Sequence, residues 1–136
     1  MSEIKDVPSP METSVEILAP ASAAWELLTD TARWPEWGPS VSRVESTEQY
    51  IGAGSTGRVQ TIIGVWLPFR VTEFVAGQRW GWEVAGIPAT GHRVESLGPD
   101  RCRLVFEVPL LAAPYLAVCR LAAHRIRTIL EQEHHQ

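Results

Sequence analysis

Along most of this chain polar and apolar residues trade places at every second position. Thr13-Ser14-Val15-Glu16-Ile17-Leu18 does so and reads as a half-buried strand with Val15 and Ile17 inward. Ala19-Pro20 ends it, and Pro20 suits a helix start. Ala21 to Leu28 then reads as a short helix with Ala21, Ala24, Trp25 and Leu28 on one side. Asp30 is placed to cap a second short helix through Arg33 and Trp34, which Pro35 and the Gly38-Pro39 pair stop.

From Ser40 to Val108 the pattern stays strand-like. Val41 to Glu48 alternates weakly, and Gly52, Gly54 and Gly57 mark a turn and a bulge. Strands follow at Arg58 to Ile63 and Phe69 to Val75, with an ambiguous apolar stretch between Gly64 and Pro68. Gln78 to Ala85 holds Trp80, Trp82 and Val84 on one face, with Arg79 and Glu83 on the other. After a turn at Gly86 to Pro88 come Thr90 to Leu97, the turn Gly98-Pro99-Asp100, and Arg101 to Val108. That last strand alternates most cleanly, with Cys102, Leu104, Phe106 and Val108 against Arg101, Arg103 and Glu107. Short links between consecutive strands predict an antiparallel meander.

Beyond Pro109 the period changes. Pro114 is tolerated only in a first helical turn, so a helix is expected to begin near Leu111 to Ala113. Tyr115, Val118, Cys119, Ala122, Ile126, Ile129 and Leu130 share one stripe of it, with His124 opposite. About twenty residues of helix reach roughly 30 Å. The meander cannot bury its inner face alone, and this stripe is the only apolar one long enough to cover it. The expected fold is therefore α+β: about seven strands in a curved antiparallel sheet around the long C-terminal helix. The first strand pairs most simply with the last, and the two short helices fall at one end as a base.

Composition narrows the picture. The chain has 136 residues, which fits one domain; residues 11–133 form it, with a flexible leader at 1–10 and a tail at 134–136. The net charge of −4 gives no nucleic-acid surface. Cys102 and Cys119 read as buried thiols, not as a disulfide framework. No signal peptide and no apolar run of a membrane span's length is found, so a cytoplasmic protein without an integral membrane segment is expected. His124, His134 and His135 look solvent-facing, and the cysteines and His92 share no metal-ligand spacing, so no metal is expected. No phosphate loop, dinucleotide fingerprint or nucleophile elbow implies a cofactor. The oligomeric state stays open, a homodimer included.

Ile17-Leu18-Ala19-Pro20 leads into Ala24-Trp25-Glu26-Leu27-Leu28-Thr29-Asp30 and then Trp34-Pro35-Glu36-Trp37. With Val71-Thr72-Glu73-Phe74 before a Gly turn, and His92 inside Thr90 to Val94, this order resembles the SRPBCC (START-like) superfamily over Met11 to Glu131. It looks most like the small bacterial polyketide cyclase/dehydratase-like members. The resemblance implies the helix-grip fold and a cavity between the inner sheet face and the long helix. It does not imply one reaction, since such proteins bind lipids, sterols, polyketides or hormones.

By alternation Val59, Thr61, Trp80, Trp82, His92, Val94, Leu104 and Phe106 face that cavity; by helical phase Tyr115, Cys119, Ala122 and Ile126 face it from the other side. Trp37 either helps form the mouth or packs as a hinge beside Trp34 under the helix. Tyr115 either donates to a ligand oxygen or reaches solvent. Glu73 shares parity with Val71 and points inward unless a bulge reverses it, whereas Glu83 and Glu95 point outward. Three functions follow. The first is a carrier or sensor of a mostly apolar, lipid-, aromatic- or polyketide-like small molecule. The second is a cyclase- or dehydratase-like enzyme with His92 as acid–base. The third is an interaction module whose tryptophans fill the interior and leave no cavity.

Overall fold

A computed structural model describes residues 11–134. The expected leader at 1–10 and the tail residues 135 and 136 lie outside the described residues.

The period-two segments form one seven-stranded antiparallel sheet. Its strands are β1 (Met11–Ile17), β2 (Val41–Ser46), β3 (Thr56–Thr61), β4 (Trp66–Val75), β5 (Arg79–Val84), β6 (Ile87–Gly98) and β7 (Arg101–Val108). The order across the sheet is β1-β7-β6-β5-β4-β3-β2. The meander thus runs unbroken from β2 to β7, and β1 closes it against β7, with Val15 opposite Leu104 and Ile17 opposite Cys102. The α+β helix-grip expectation holds: α1 (Ala21–Thr29) and the single-turn α2 (Trp34–Trp37) follow β1, and α3 (Leu116–His134) ends the described chain. Asp30 caps the 3-10 turn Thr31–Arg33 between α1 and α2 by accepting from the amide of Ala32. Among the described residues no helix is long and apolar enough to cross a membrane.

A flat sheet could not wrap a helix, and the register shows how this one bends. Four neighbouring pairs shift register: at Val41/Arg43, Val71/Glu73, Gly81/Glu83 and Ser96/Gly98. The β4 bulge inserts Thr72 and corrects one expectation. It turns Glu73 out of the sheet, exposed and ion-paired with Arg79, and turns Phe74 inward onto Trp25 with ring centroids 5.6 Å apart. Between β5 and β6 the turn is only Ala85-Gly86, both at positive φ (54° and 77°). That geometry matches the right-handed twist of a two-residue hairpin. It starts β6 at Ile87, three residues earlier than alternation suggested.

The long helix also starts later than expected. Leu110–Tyr115 form a 3-10 segment kinked at Ala112, and regular α-helix begins at Leu116. Pro114 lies inside the 3-10 part, where its missing N–H breaks no α-helical ladder. From α3, Cys119, Ala122, Ala123, Ile126 and Leu130 are buried against the sheet. The far end of α3 is tied to the base: Arg33 reaches Glu133 at 2.7 Å, and Glu131 accepts from the amide of Leu18 at 2.9 Å.

Gly57 has a specific task in this arrangement. It pairs with Phe69 across β3 and β4, and the Phe69 ring lies over it. A Cβ at Gly57 would sit 2.3 Å from the Glu45 carbonyl oxygen and 2.8 Å from the Phe69 ring. Gly57→Ala should therefore cost about 2 kcal/mol or more of stability. Urea unfolding measures this, and a midpoint equal to wild type would show that the β3 backbone yields.

Candidate functional site

The interior is filled from the base upward by aromatic rings. Trp34, at the start of α2, donates its indole N–H to the Leu28 carbonyl at 2.9 Å. Its ring stacks on Trp80 at 5.6 Å and 8° from parallel, and meets Trp82 edge-on at 5.4 Å. Phe69 closes the group from β4, 5.4 Å from Trp34 and 5.5 Å from Trp82. Trp37 donates to the Leu27 carbonyl at 3.2 Å and sets its edge against Phe106 and His92. Trp37 is buried and also lines a small void between the rings and α3.

His92 lies flat on Trp80, with ring centroids 3.9 Å apart. Its Nδ1 meets the Trp80 carbonyl oxygen at 3.2 Å, and its Nε2 meets Thr90 Oγ1 at 3.0 Å. A carbonyl only accepts, so Nδ1 carries the proton and Nε2 accepts from the Thr90 hydroxyl. Thr90 Oγ1 in turn accepts from the Trp82 indole N–H at 3.0 Å. The result is one directed chain from Trp82 through Thr90 and His92 to the Trp80 backbone. Burial away from water pushes the His92 pKa from 6.5 down to about 3, so the ring is neutral. Thr90 was not singled out from the sequence. Its signal is its i, i+2 spacing to His92 on one strand face, which places two short polar groups side by side.

Two spaces adjoin the rings. A void of about 40 Å³ lies between them and α3. Trp37, Trp80, His92, Phe106, Cys119 and Ala122, all expected on the ligand cavity, line only this void. The small side chains on α3 draw the helix close to the sheet, and the tryptophans take up most of the gap. A larger cavity of about 380 Å³ lies toward the open end of the grip. Val59, Thr61, Trp82 and Tyr115, four of the expected residues, line it. Leu67, Val84, Ile87, Pro88, Ala89, Pro109 and Ala112 complete its apolar wall. Leu67 and Val84 follow the same alternation as Phe69 and Trp82; Ile87, Pro88 and Ala89 open β6 beside the Gly81/Glu83 register shift, and Pro109 and Ala112 lie on the link and 3-10 segment after β7, where no strand period applies.

Ser40, Val41, Trp82, Thr90 and Tyr115 border both spaces. The hydroxyls of Ser40 and Tyr115 are hydrogen-bonded to each other where the two spaces adjoin. Burial raises the Tyr115 pKa above its ordinary value, so the phenol is protonated. Among the described residues no Asp, Glu, Lys, Arg or His lines the larger cavity. Both cysteines are buried free thiols, and burial pushes each up to about 11. Among the described residues no group of three or more His, Cys, Asp or Glu is placed to hold a metal ion.

The outer face of the sheet carries the charge. Glu107 lies on the expected outer side but is only 9% exposed, covered by Arg79 and Arg93 at 2.7 Å each. Hydrogen bonds from Arg79 hold its carboxyl below the usual carboxylate range. Glu107 and Arg79 lie close over Gly91, where a Cβ would meet Glu107 Oε1 at 2.6 Å and Arg79 Nη2 at 2.9 Å.

A family model described as polyketide cyclase/dehydrase and lipid transport matches residues 10–132. No curated protein matches the chain by sequence. Solved structures share the fold at low identity. A START superfamily protein from Mycobacterium smegmatis superposes with TM-score 0.71 at 14% identity, over 92% of this chain and 99% of that one. The di-domain ARO/CYC BexL from the BE-7585A biosynthetic pathway gives 0.70 at 14% identity, over 95% of this chain and 48% of BexL. This chain thus spans about half of that di-domain protein. A norcoclaurine synthase point mutant from Thalictrum, solved with a transition-state analogue, gives 0.60 at 12% identity, over 93% of this chain and 95% of that one.

The His92 environment makes a pH prediction. Its folded pKa lies below the unfolded value, so between about pH 6.5 and pH 3 the unfolded chain binds the extra proton. Stability should fall as pH drops through that window. Glu36, Glu95 and Glu107, held below 4.5 by their arginine partners, add their own loss only below that value. The loss between about pH 6.5 and pH 4.5 therefore belongs to His92. Urea midpoints measured across that interval should decline in wild type and stay nearly level in His92→Gln.

Proposed function

The chain belongs to the polyketide cyclase/dehydrase and lipid transport family, of the SRPBCC (START-like) type, and from that premise we propose that it binds one mostly apolar small molecule in the larger cavity, as a carrier or sensor. The observation that carries this reading is an uncharged cavity of about 380 Å³ at the open end of the grip. That volume falls within the range of small-molecule sites, roughly 300–1,000 Å³. Its walls are aliphatic side chains, prolines and the face of Trp82. Burial against them is worth roughly 25 cal/mol per Å² removed from water.

Polar recognition in this cavity is sparse. The Trp82 N–H is committed to Thr90, so its ring offers a face and no donor. The hydroxyls of Ser40, Thr61 and Tyr115 remain as orienting groups. The ligand that fits is an apolar, flat or flexible body bearing one or two oxygens. The BexL and norcoclaurine synthase likenesses concern the fold, and what those proteins act on is not carried over.

The reading as a cyclase or dehydratase with His92 as acid–base draws less support. His92 is buried, neutral, hydrogen-bonded at both nitrogens and does not line the larger cavity. A base with a pKa near 3 is poorly matched to proton abstraction at neutral pH. The interaction module without a cavity draws less still, because the tryptophans fill the base and leave the open end empty.

Titration with the neutral fluorophore N-phenyl-1-naphthylamine tests the proposal. Wild type should bind it with quenching of tryptophan fluorescence. Val84→Trp, which fills the cavity from β5, should weaken binding about tenfold or more while thermal unfolding stays cooperative. His92→Gln should keep the probe. Absence of binding by wild type, or equal binding by Val84→Trp, would overturn the assignment.

A further inference from the structure

Charge is distributed unevenly over this molecule. The chain has 12 basic and 16 acidic residues, yet segments 59–69, 84–92 and 108–119 contain no Asp, Glu, Lys or Arg. The fold brings these three segments to the same end. The first holds the β3–β4 hairpin tip, the second the adjoining β5–β6 tip, and the third the 3-10 segment that leads into α3. Together they surround the larger cavity: Thr61 and Leu67 come from the first, Ile87 and Pro88 from the second, and Pro109 and Ala112 from the third. His92, the one group here that titrates near neutrality in water, is buried and neutral.

The same end exposes large aliphatic side chains. Ile62 and Ile63 are 73% and 80% exposed at the β3–β4 tip, and Ile87 is 67% exposed at the β5–β6 tip. Val65, beside the isoleucine pair, is also exposed. At the base of the first hairpin the Arg58 guanidinium lies 4.3 Å over the Trp66 ring.

We infer that this end docks on a lipid bilayer. Ile62 and Ile63 enter the acyl boundary, Trp66 and Arg58 lie at the headgroup level, and the cavity mouth faces the membrane. The occupant follows from charge and shape. Protein interfaces surround an apolar centre with a polar rim, and these three segments carry no charge with which to build one. Two neighbouring hairpin tips make a protrusion, which suits a deformable apolar medium better than a fixed complementary surface. An aliphatic tip followed by tryptophan and arginine matches the order from hydrocarbon to headgroup. Every charged side chain kept out of these segments is one that need not be dehydrated on docking. The location also has a use, since an apolar ligand could pass between bilayer and cavity without crossing water.

Co-sedimentation of the full chain with vesicles of phosphatidylcholine and phosphatidylglycerol tests this, with N-phenyl-1-naphthylamine binding read on the same preparations. Wild type should pellet with the vesicles. The double variant Ile62→Asp, Ile63→Asp should pellet at least about tenfold less while keeping the probe, because both positions lie on a solvent-exposed turn. Leu121→Asp, at an exposed leucine on α3, should pellet like wild type. Three results would overturn the inference: wild type staying in the supernatant, the double variant pelleting as well as wild type, or a vesicle-independent dimer that the double variant dissolves. Loss of probe binding with vesicle binding intact would instead count against the cavity assignment and leave the docking surface standing.

Discussion

Two indole planes, Trp34 from the short α2 and Trp80 from β5, lie nearly parallel at the base of the grip, and the rest of the interior is arranged around them. Trp34 is fixed by its bond to the Leu28 carbonyl. Trp80 is fixed from the other side by His92, which lies on its face and bonds its backbone. The stack therefore sets how far the sheet stands from α2 and where α3 can settle. Rings of this size bury much surface at low conformational cost. They also decide where space remains. Because the base is solid, the room for a ligand lies beyond Trp82, toward the hairpin tips.

Strand order, the pairing of β1 with β7, the base helices and the centre of the α3 stripe (Cys119, Ala122, Ile126 and Leu130) could be read from period and punctuation, whereas Tyr115 of that stripe is exposed and Ala123 outside it is buried. Each depends on a local regularity of the chain. The site was legible only in part. Parity correctly turned Trp80, Trp82 and His92 inward, but parity carries no depth. It cannot tell the filled base from the open end, so residues of the small void and of the larger cavity were grouped together. Glu73 shows a second limit. The inserted residue Thr72 leaves no mark in the hydrophobic pattern, yet it exchanges the faces of everything after it on β4. Pro88 and Ala89 sit at the start of β6 beside the Gly81/Glu83 register shift, which parity does not reveal, and Pro109 and Ala112 lie after β7 where no strand period runs.

His92 illustrates why a residue type in the right place does not settle chemistry. A histidine on the inner face of such a sheet invites an acid–base role. Its surroundings give it another. The Trp80 carbonyl fixes its tautomer, Thr90 takes its second nitrogen, and burial removes its charge. The ring then works as a neutral spacer that joins two tryptophans through hydrogen bonds satisfied at both ends.

The outer charges have a mechanical corollary. Arg79 and Arg93 bridge β5 and β6 to Glu107 on β7, Arg93 reaches Glu12 on β1, and Arg103 links β7 to Glu95 on β6 and Glu16 on β1. Toward the β2 edge the ties among the described residues are Arg79–Glu73, Arg58–Glu45 and Arg70–Glu83, each open to solvent on at least one partner, a kind that contributes little. The densest ion-pair network, centred on the buried Glu107, thus lies on the side that grips α3, and the sparser pairs lie on the side whose strands β2 to β4 wall the larger cavity. A guest of slightly different girth would be accommodated by β2 to β4 flexing outward, with the helix and the β1-β7-β6 half held still.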